Sequence, residues 1–257
     1  MRDECARDFE ATLRSVRCLG YEGVEVFDLH GHDPARVRGW LDELGLVPCG
    51  FHTSLEAVEE RLPELAAEAG VLGTRRRIVS WIEPPESGTQ AREAVERLRT
   101  AARKAADAGL ELGFHNHAGE LRPLDGGPTF LDELLGGAPE LFLELDLGWA
   151  WYAGVDPAGL LERTRGRCPL VHVKDLAVRG VPTFCPVGDG AVGYERIVPA
   201  AVPAGVEWLI VEQDETEGPS LEAARRSLEA LRRMLAESPD PRSSRPPTRA
   251  DSRAGLA

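Results

Sequence analysis

Strand-like and helix-like segments alternate along most of this chain, and the alternation predicts an α/β protein built as a (β/α)8 barrel. Three observations carry that reading. Seven short β-prone runs are followed by segments whose apolar residues recur at helical spacing. The units recur at roughly 25–40 residues, the length of a strand, a helix and two short connections. An open doubly wound sheet would carry a phosphate loop after an early strand, and neither GxGxxG nor GxxxxGK(S/T) follows one here.

Each element has its own local signal. Residues 8–19 have helical apolar spacing and stop at Gly20, a good C-cap. Gly23–Leu29 reads as a strand. The helix Asp33–Leu44 has Asp33 as N-cap, Pro34 in its first position and Gly45 past its end. A short strand over Val47–His52 leads to a helix near Ala57–Ala69, then a strand over Arg77–Ile82. A long amphipathic helix over 88–108 is stopped by Gly109. Strand Glu111–Asn116, helix Thr129–Leu135, strand Leu141–Asp146 and helix Pro157–Thr164 follow. Strand Leu170–Val173, helix Tyr194–Val202, strand Glu207–Glu212 and the amphipathic helix Ser220–Glu237 close the series.

The chain opens on a helix, so the barrel is expected to lack its first strand at the N-terminus. Residues 1–237 read as one catalytic domain. Residues 238–257 hold four prolines, four arginines and almost no large apolar side chain, and read as a disordered tail. A barrel missing one strand exposes two strand edges, which a second copy of the chain could pair in a homodimer.

Composition narrows the function. The chain has 257 residues, 42% hydrophobic and 28% charged, as a globular protein with a sizeable core does. No apolar run approaches the roughly 20 residues a membrane span needs, and the charged start Met1–Glu4 does not resemble a signal peptide. Five cysteines with no CxxC suggest reduced thiols in a cytoplasmic protein. Net charge is −13, and the body without its arginine-bearing tail is more acidic still. Such a surface repels polyanions, which argues against a nucleic-acid partner and for a small-molecule enzyme.

Active sites of these folds gather at the C-terminal ends of the strands. Five of the six histidines fall there: His30, His52, His115, His117 and His172, with His32 in a nearby loop. Asp146, Lys174, Asp175 and Glu212 occupy equivalent places, with Glu25 and Asp28 on the first strand. Taken singly, each has a plain structural explanation. Asp146 could cap the next turn, Lys174 and Asp175 could form a surface ion pair of small weight, and Asp214, Glu215 and Glu217 read as solvated loop charges. Jointly the pattern favours a metal site. His115, Asp146, His172 and Glu212 are spaced by 31, 26 and 40 residues, about one strand–helix unit each, so four strands would bring them together. Mixed nitrogen and oxygen donors suit one Mn, Zn, Co or Fe ion better than calcium.

The runs FHNHAGE, ELDLGWAWYAGVDP, VHVKD, VGDGAVGY and WLIVEQDE, in this order, resemble the sugar phosphate isomerase/epimerase family, with GYEGVEVFDLHG and FHTSLEAV matching its earlier strands. This is the xylose isomerase-like TIM-barrel superfamily, with inosose dehydratases, ketose epimerases and endonuclease IV-type enzymes among its members. The resemblance spans roughly residues 7–236. It implies one divalent metal held by an acidic residue, an Asp, a His and a Glu. Asp146, His172 and Glu212 match the last three. His115 stands where many members have a Glu, so Glu120 of the HNHAGE run is a further candidate for the metal. That departure leaves Glu120, Lys174 and Glu212 as candidates for the catalytic base.

The reaction so implied is proton abstraction beside a sugar or polyol carbonyl through a metal-stabilised enediolate. Reprotonation gives isomerisation or epimerisation; loss of a β-hydroxyl gives dehydration. His52, His117 and Lys174 are expected to contact substrate hydroxyls, and Trp81 and Trp149 either wall the pocket or belong to the core. Few basic residues lie near the strand ends, which favours an unphosphorylated sugar, keto-sugar or inositol derivative. Two readings compete. One is a multinuclear phosphodiesterase, which the acidic body disfavours. The other is a truncated, non-catalytic ligand-binding remnant, which the intact Asp146, His172 and Glu212 disfavour.

Overall fold

The computed structural model describes residues 1–237 and 255–257. They form two compact units, Met1–Glu144 and Leu145–Ala257. Helices and strands alternate in both, and the ladders along the main strands are parallel.

The first unit opens with α1 (Arg2–Arg7) and α2 (Phe9–Leu19), which ends on left-handed Gly20 as its sequence predicts. Strand β1 (Gly23–Val26) is shorter than expected. The chain turns at Asp28, whose carboxylate accepts the His30 amide at 2.7 Å, and His30 takes φ 51°. Helix α3 (Pro34–Leu44) starts on Asp33, which accepts the Ala35 amide, and stops at Gly45. Strand β2 (Val47–Thr53) follows. The helix expected near Ala57–Ala69 is two helices, α4 (Leu55–Glu60) and α5 (Leu62–Leu72), with a break at Arg61 just before Pro63. Strand β3 (Arg76–Val79), helix α6 (Gly88–Asp107), strand β4 (Glu111–His115), helix α7 (Phe130–Gly137) and strand β5 (Phe142–Asp146) complete the series.

Strands β1 to β5 pair in sequence order. Register slips between β1 and β2: Val24 faces Pro48 and Glu25 faces Gly50, leaving buried Cys49 as the extra residue. The apolar faces of α2 and α3 meet β1 and β2 in a cluster of Phe9, Leu13, Val26, Val37, Trp40, Leu41 and Phe51. His32 stacks against Phe9 and edges Trp40, and His30 also meets Phe9. Both histidines therefore belong to this packing and not to a strand-end site.

The boundary between the units falls within β5. The second unit continues with α8 (Leu147–Tyr152) and α9 (Pro157–Arg163), strand β6 (Leu170–Val173), and a small antiparallel pair, β7 (Asp175–Leu176) with β8 (Phe184–Cys185). Then come α10 (Tyr194–Ala204), β9 (Trp208–Val211), α11 (Ser220–Ala236) and β10 (Gly255–Leu256). Strands β6, β9 and β10 pair in that order, all parallel. The sequence does not predict α8 or the β7–β8 pair.

Most of the tail expected to be disordered lies outside the described residues. Its last three residues do not behave as expected. Gly255 donates to Glu207 O, Ala257 donates to Leu209 O, and Val211 donates to Ala257 O. Leu256 is buried. The edge of β9 that the sequence leaves bare is thus paired. The chain's five cysteines are free thiols, and no described helix is long and apolar enough to cross a membrane.

Candidate functional site

In the first unit, the ends of β1, β2, β4 and β5 gather one charged cluster. His52 Nε2 lies 2.9 Å from Glu25 Oε2 and 3.1 Å from Glu144 Oε2. His115 Nδ1 lies 3.2 Å from the same Glu144 oxygen, and β4–β5 register places these two side by side. Burial alone would strip the His52 proton, but Glu25 and Glu144 outweigh it and push the ring up to about 10. His52 is therefore a cation between two carboxylates near neutral pH.

His117 stands against His115, ring centroids 4.9 Å apart. Glu120, on a single 3-10 turn over Gly119–Leu121, is buried and accepts the His117 amide at 3.0 Å. Burial raises its carboxyl above the usual carboxylate range, although backbone amides oppose the shift. Within this unit, Glu120 shapes the turn that carries His117.

The second unit assembles a denser group. Asp146 ends β5 and caps α8: its Oδ1 accepts the Trp149 amide at 2.8 Å. The structural alternative for Asp146 is thus correct but incomplete, since Oδ2 lies 3.0 Å from Lys174 Nζ. His172, on β6, places Nδ1 2.8 Å from Glu212 Oε2, one residue past β9. Lys174 Nζ also lies 2.9 Å from Glu212 Oε2 and 2.9 Å from Asp214 Oδ2. Burial would expel the ammonium proton, yet Asp146, Glu212 and Asp214 together hold it well above the ordinary lysine range. Trp149 and Phe184 flank the ammonium at 4.9 and 5.8 Å from ring centroid to Nζ.

Two sequence readings fail at this point. Lys174 and Asp175 do not form a surface ion pair: both are buried and they have different partners. Asp214 is not a solvated loop charge, because it holds Lys174.

The backbone around Lys174 is fixed from two sides. Its amide donates to the Tyr194 hydroxyl at 2.9 Å, and that hydroxyl donates to the Lys174 carbonyl at 3.0 Å. On the other side Gly148 packs so closely that a Cβ there would lie 2.2 Å from the Lys174 carbonyl oxygen. Asp175, next along, collects the amides of Leu176, Gly188, Gly190 and Val192. The run Gly188–Gly193 has the spacing GxGxxG, but three of its amides are satisfied by this internal carboxylate.

Sequence reasoning missed three residues. Glu144 is fully buried two positions before Asp146, and the period-2 alternation of a strand puts both on one face. Tyr194, at the start of α10, carries no signal of its own, and Asp214 reads as a loop charge although it follows the end of β9. Trp81, by contrast, is 57% exposed beyond β3 and is not a core residue, while Trp149 is half-buried beside Lys174.

A sequence model described as "Xylose isomerase-like TIM barrel" matches residues 13–234. The chain belongs to the xylose isomerase-like TIM-barrel family. It has that family's (β/α)8 fold, as the strand–helix alternation predicts. Among similar proteins, an inosose dehydratase of Klebsiella pneumoniae is 23% identical over 80% of this chain and 83% of its own length. An inosose dehydratase of Geobacillus kaustophilus is 27% identical over 80% of each chain. The rhizopine catabolism protein MocC of Rhizobium meliloti is 29% identical over 88% of this chain and 82% of its own. Among solved structures, a sugar phosphate isomerase/epimerase from Parabacteroides distasonis superposes with TM-score 0.77 at 20% identity, covering 89% of this chain and 90% of that one. The probable 3-DHS dehydratase AsbF from Bacillus anthracis gives 0.71 at 17%, covering 88% and 93%. At these identities the structural likeness establishes the fold alone.

The donor set of the second unit fits a divalent ion. One ligand atom each from Asp146, His172 and Glu212 lies within 4.8 Å of the others. Two carboxylates and one imidazole suit Mn, Fe, Co or Zn. Asp146 and His172 are buried, and Glu212 keeps 27% of its side chain exposed, so a ligand can approach from one side.

Proposed function

We propose that this protein is a metal-dependent lyase that removes water from a keto-polyol of the inosose type, with isomerisation or epimerisation of a keto-sugar as the second reading. Asp146, His172 and Glu212 would hold the ion, with His115 proposed as a further ligand from its place at a strand end. Such an ion would supply Lewis acidity, which makes the proton on a carbon beside a carbonyl more acidic.

The observation that carries the reading is the group around Lys174. An ammonium held by three carboxylates within 3.0 Å stays protonated and is not a base. That argues against Lys174 as the base and leaves Glu212 and Glu120 of the three sequence candidates. Glu212 is the carboxylate with solvent access on one side and takes the carbon-bound proton. Lys174, whose Nζ lies 2.9 Å from Glu212 Oε2, is the cation that would hydrogen-bond a departing β-hydroxyl, a group that dehydration expels and isomerisation keeps. Glu120 is committed to the His117 amide, and its role is to position the turn. His52 and His117 are proposed to bind substrate hydroxyls, His52 as a charged donor. The names of the similar inosose dehydratases point the same way.

The test is an inosose incubated with Mn²⁺-loaded protein in D₂O, followed by mass spectrometry and proton NMR. Loss of one water with the protein's own Lys174 required supports dehydration. Deuterium at carbon without loss of water supports the isomerase reading. Neither change overturns both.

A further inference from the structure

Asp214 lies three residues past β9 and outside the donor set, yet its carboxylate is as close to Lys174 as either Asp146 or Glu212. This geometry poses a charge problem. Lys174 Nζ lies within 3.0 Å of Asp146 Oδ2 and Glu212 Oε2, the carboxylates a divalent ion would take. An ammonium and a divalent cation cannot both sit against the same two oxygens without strong repulsion in a buried place. The ammonium needs somewhere to go that keeps a counter-charge. Its third partner, Asp214, supplies that charge, and the rings of Trp149 and Phe184 offer their electron-rich faces at 4.9 and 5.8 Å.

We propose that Asp214 is a positioning residue that draws the Lys174 ammonium off Asp146 and Glu212 when a divalent cation binds, so that metal and lysine coexist in one site. The inference rests on the metal reading given above. Without Asp214 the ammonium keeps, among the described residues, Asp146 and Glu212 as counter-charges, and it competes with the metal for them. With Asp214 present, the lysine stays beside the site as a donor.

The proposal is tested by Mn²⁺ titration calorimetry on four proteins: wild type, Asp214→Asn, Lys174→Met and the double variant. In the wild-type background Asp214→Asn weakens Mn²⁺ about tenfold or more, and Lys174→Met tightens it. In the Lys174→Met background Asp214→Asn changes affinity by less than about threefold, because the competitor is gone. Equal weakening in both backgrounds means that Asp214 acts on the metal by its own charge, and overturns the proposal while leaving the metal site intact. No Mn²⁺ binding by wild type overturns the metal reading and this inference with it. Far-UV circular dichroism checks folding of each variant, and Lys174→Gln replaces Lys174→Met in the cycle if the latter does not fold.

Discussion

Asp146 divides two tasks between its two oxygens, one capping α8 and the other facing Lys174. Asp146→Asn keeps a capping oxygen and loses the charge, whereas Asp146→Ala loses both. Lys174 keeps Glu212 and Asp214 when the Asp146 charge is lost, whereas a lost N-cap costs about 1 kcal/mol. Chemical denaturation is expected to rank Asn above Ala, with Mn²⁺ binding lost in both variants; equal stability of the two would contradict the capping role. His52 makes a pH prediction. Its folded-state pKa, about 10, lies above the ordinary 6.5, so its stabilising contribution is complete below 6.5 and fades as pH rises toward 10. The stability gap between wild type and His52→Gln should therefore narrow from pH 6 to pH 10, and a gap that widens would refute the assignment. At this scale the sequence shows which residue types stand at strand ends, and Asp146, His172 and Glu212 are legible for that reason. It does not show depth. Lys174 looks like a surface charge until the structure surrounds it with three carboxylates, and Glu144 hides inside an apolar strand.

Between β7 and α10 the chain is organised by one side chain. Asp175 accepts four amides, three of them from the run Gly188–Gly193. Asp175→Ala leaves those amides without their acceptor, at about 1–3 kcal/mol for a buried group left unsatisfied. Limited proteolysis should then cut within 176–193 in the variant and not in wild type; an unchanged pattern would show that the loop holds itself. The second element is β10, whose Gly255 lies against Trp208 with room for no Cβ: one would sit 2.3 Å from the ring. Gly255→Val should lower the melting temperature by several degrees, about 2–4 °C per kcal/mol for a chain of this size, and an unshifted melt would mean that β10 adds nothing. Element types follow the sequence closely because caps and periodicity are local: Asp33, Gly20 and Gly45 act as their residue types predict. One miss is tertiary: β10 lies in a tail whose composition gives no hint of a strand partner. The break at Arg61, by contrast, is legible from Pro63, which the expectation of a single helix passes over.

For the whole molecule, the alternation of strands and helices predicts a parallel sheet covered by helices, and the ordered family-like runs choose the barrel over the open sheet. The reaction is less legible, because one barrel and one metal serve isomerases, epimerases and dehydratases alike. In the reading proposed above the choice among them turns on the buried Lys174 ammonium, and burial is a property no single sequence prints. The central claim is that Asp146, His172 and Glu212 hold a divalent ion. The most direct measurement is metal content by inductively coupled plasma mass spectrometry after Mn²⁺ reconstitution and desalting, on wild type, Asp146→Ala and His172→Ala checked for folding. The account predicts about one ion per wild-type chain and none in either variant. A metal-free wild type, or variants that keep the ion, would contradict it.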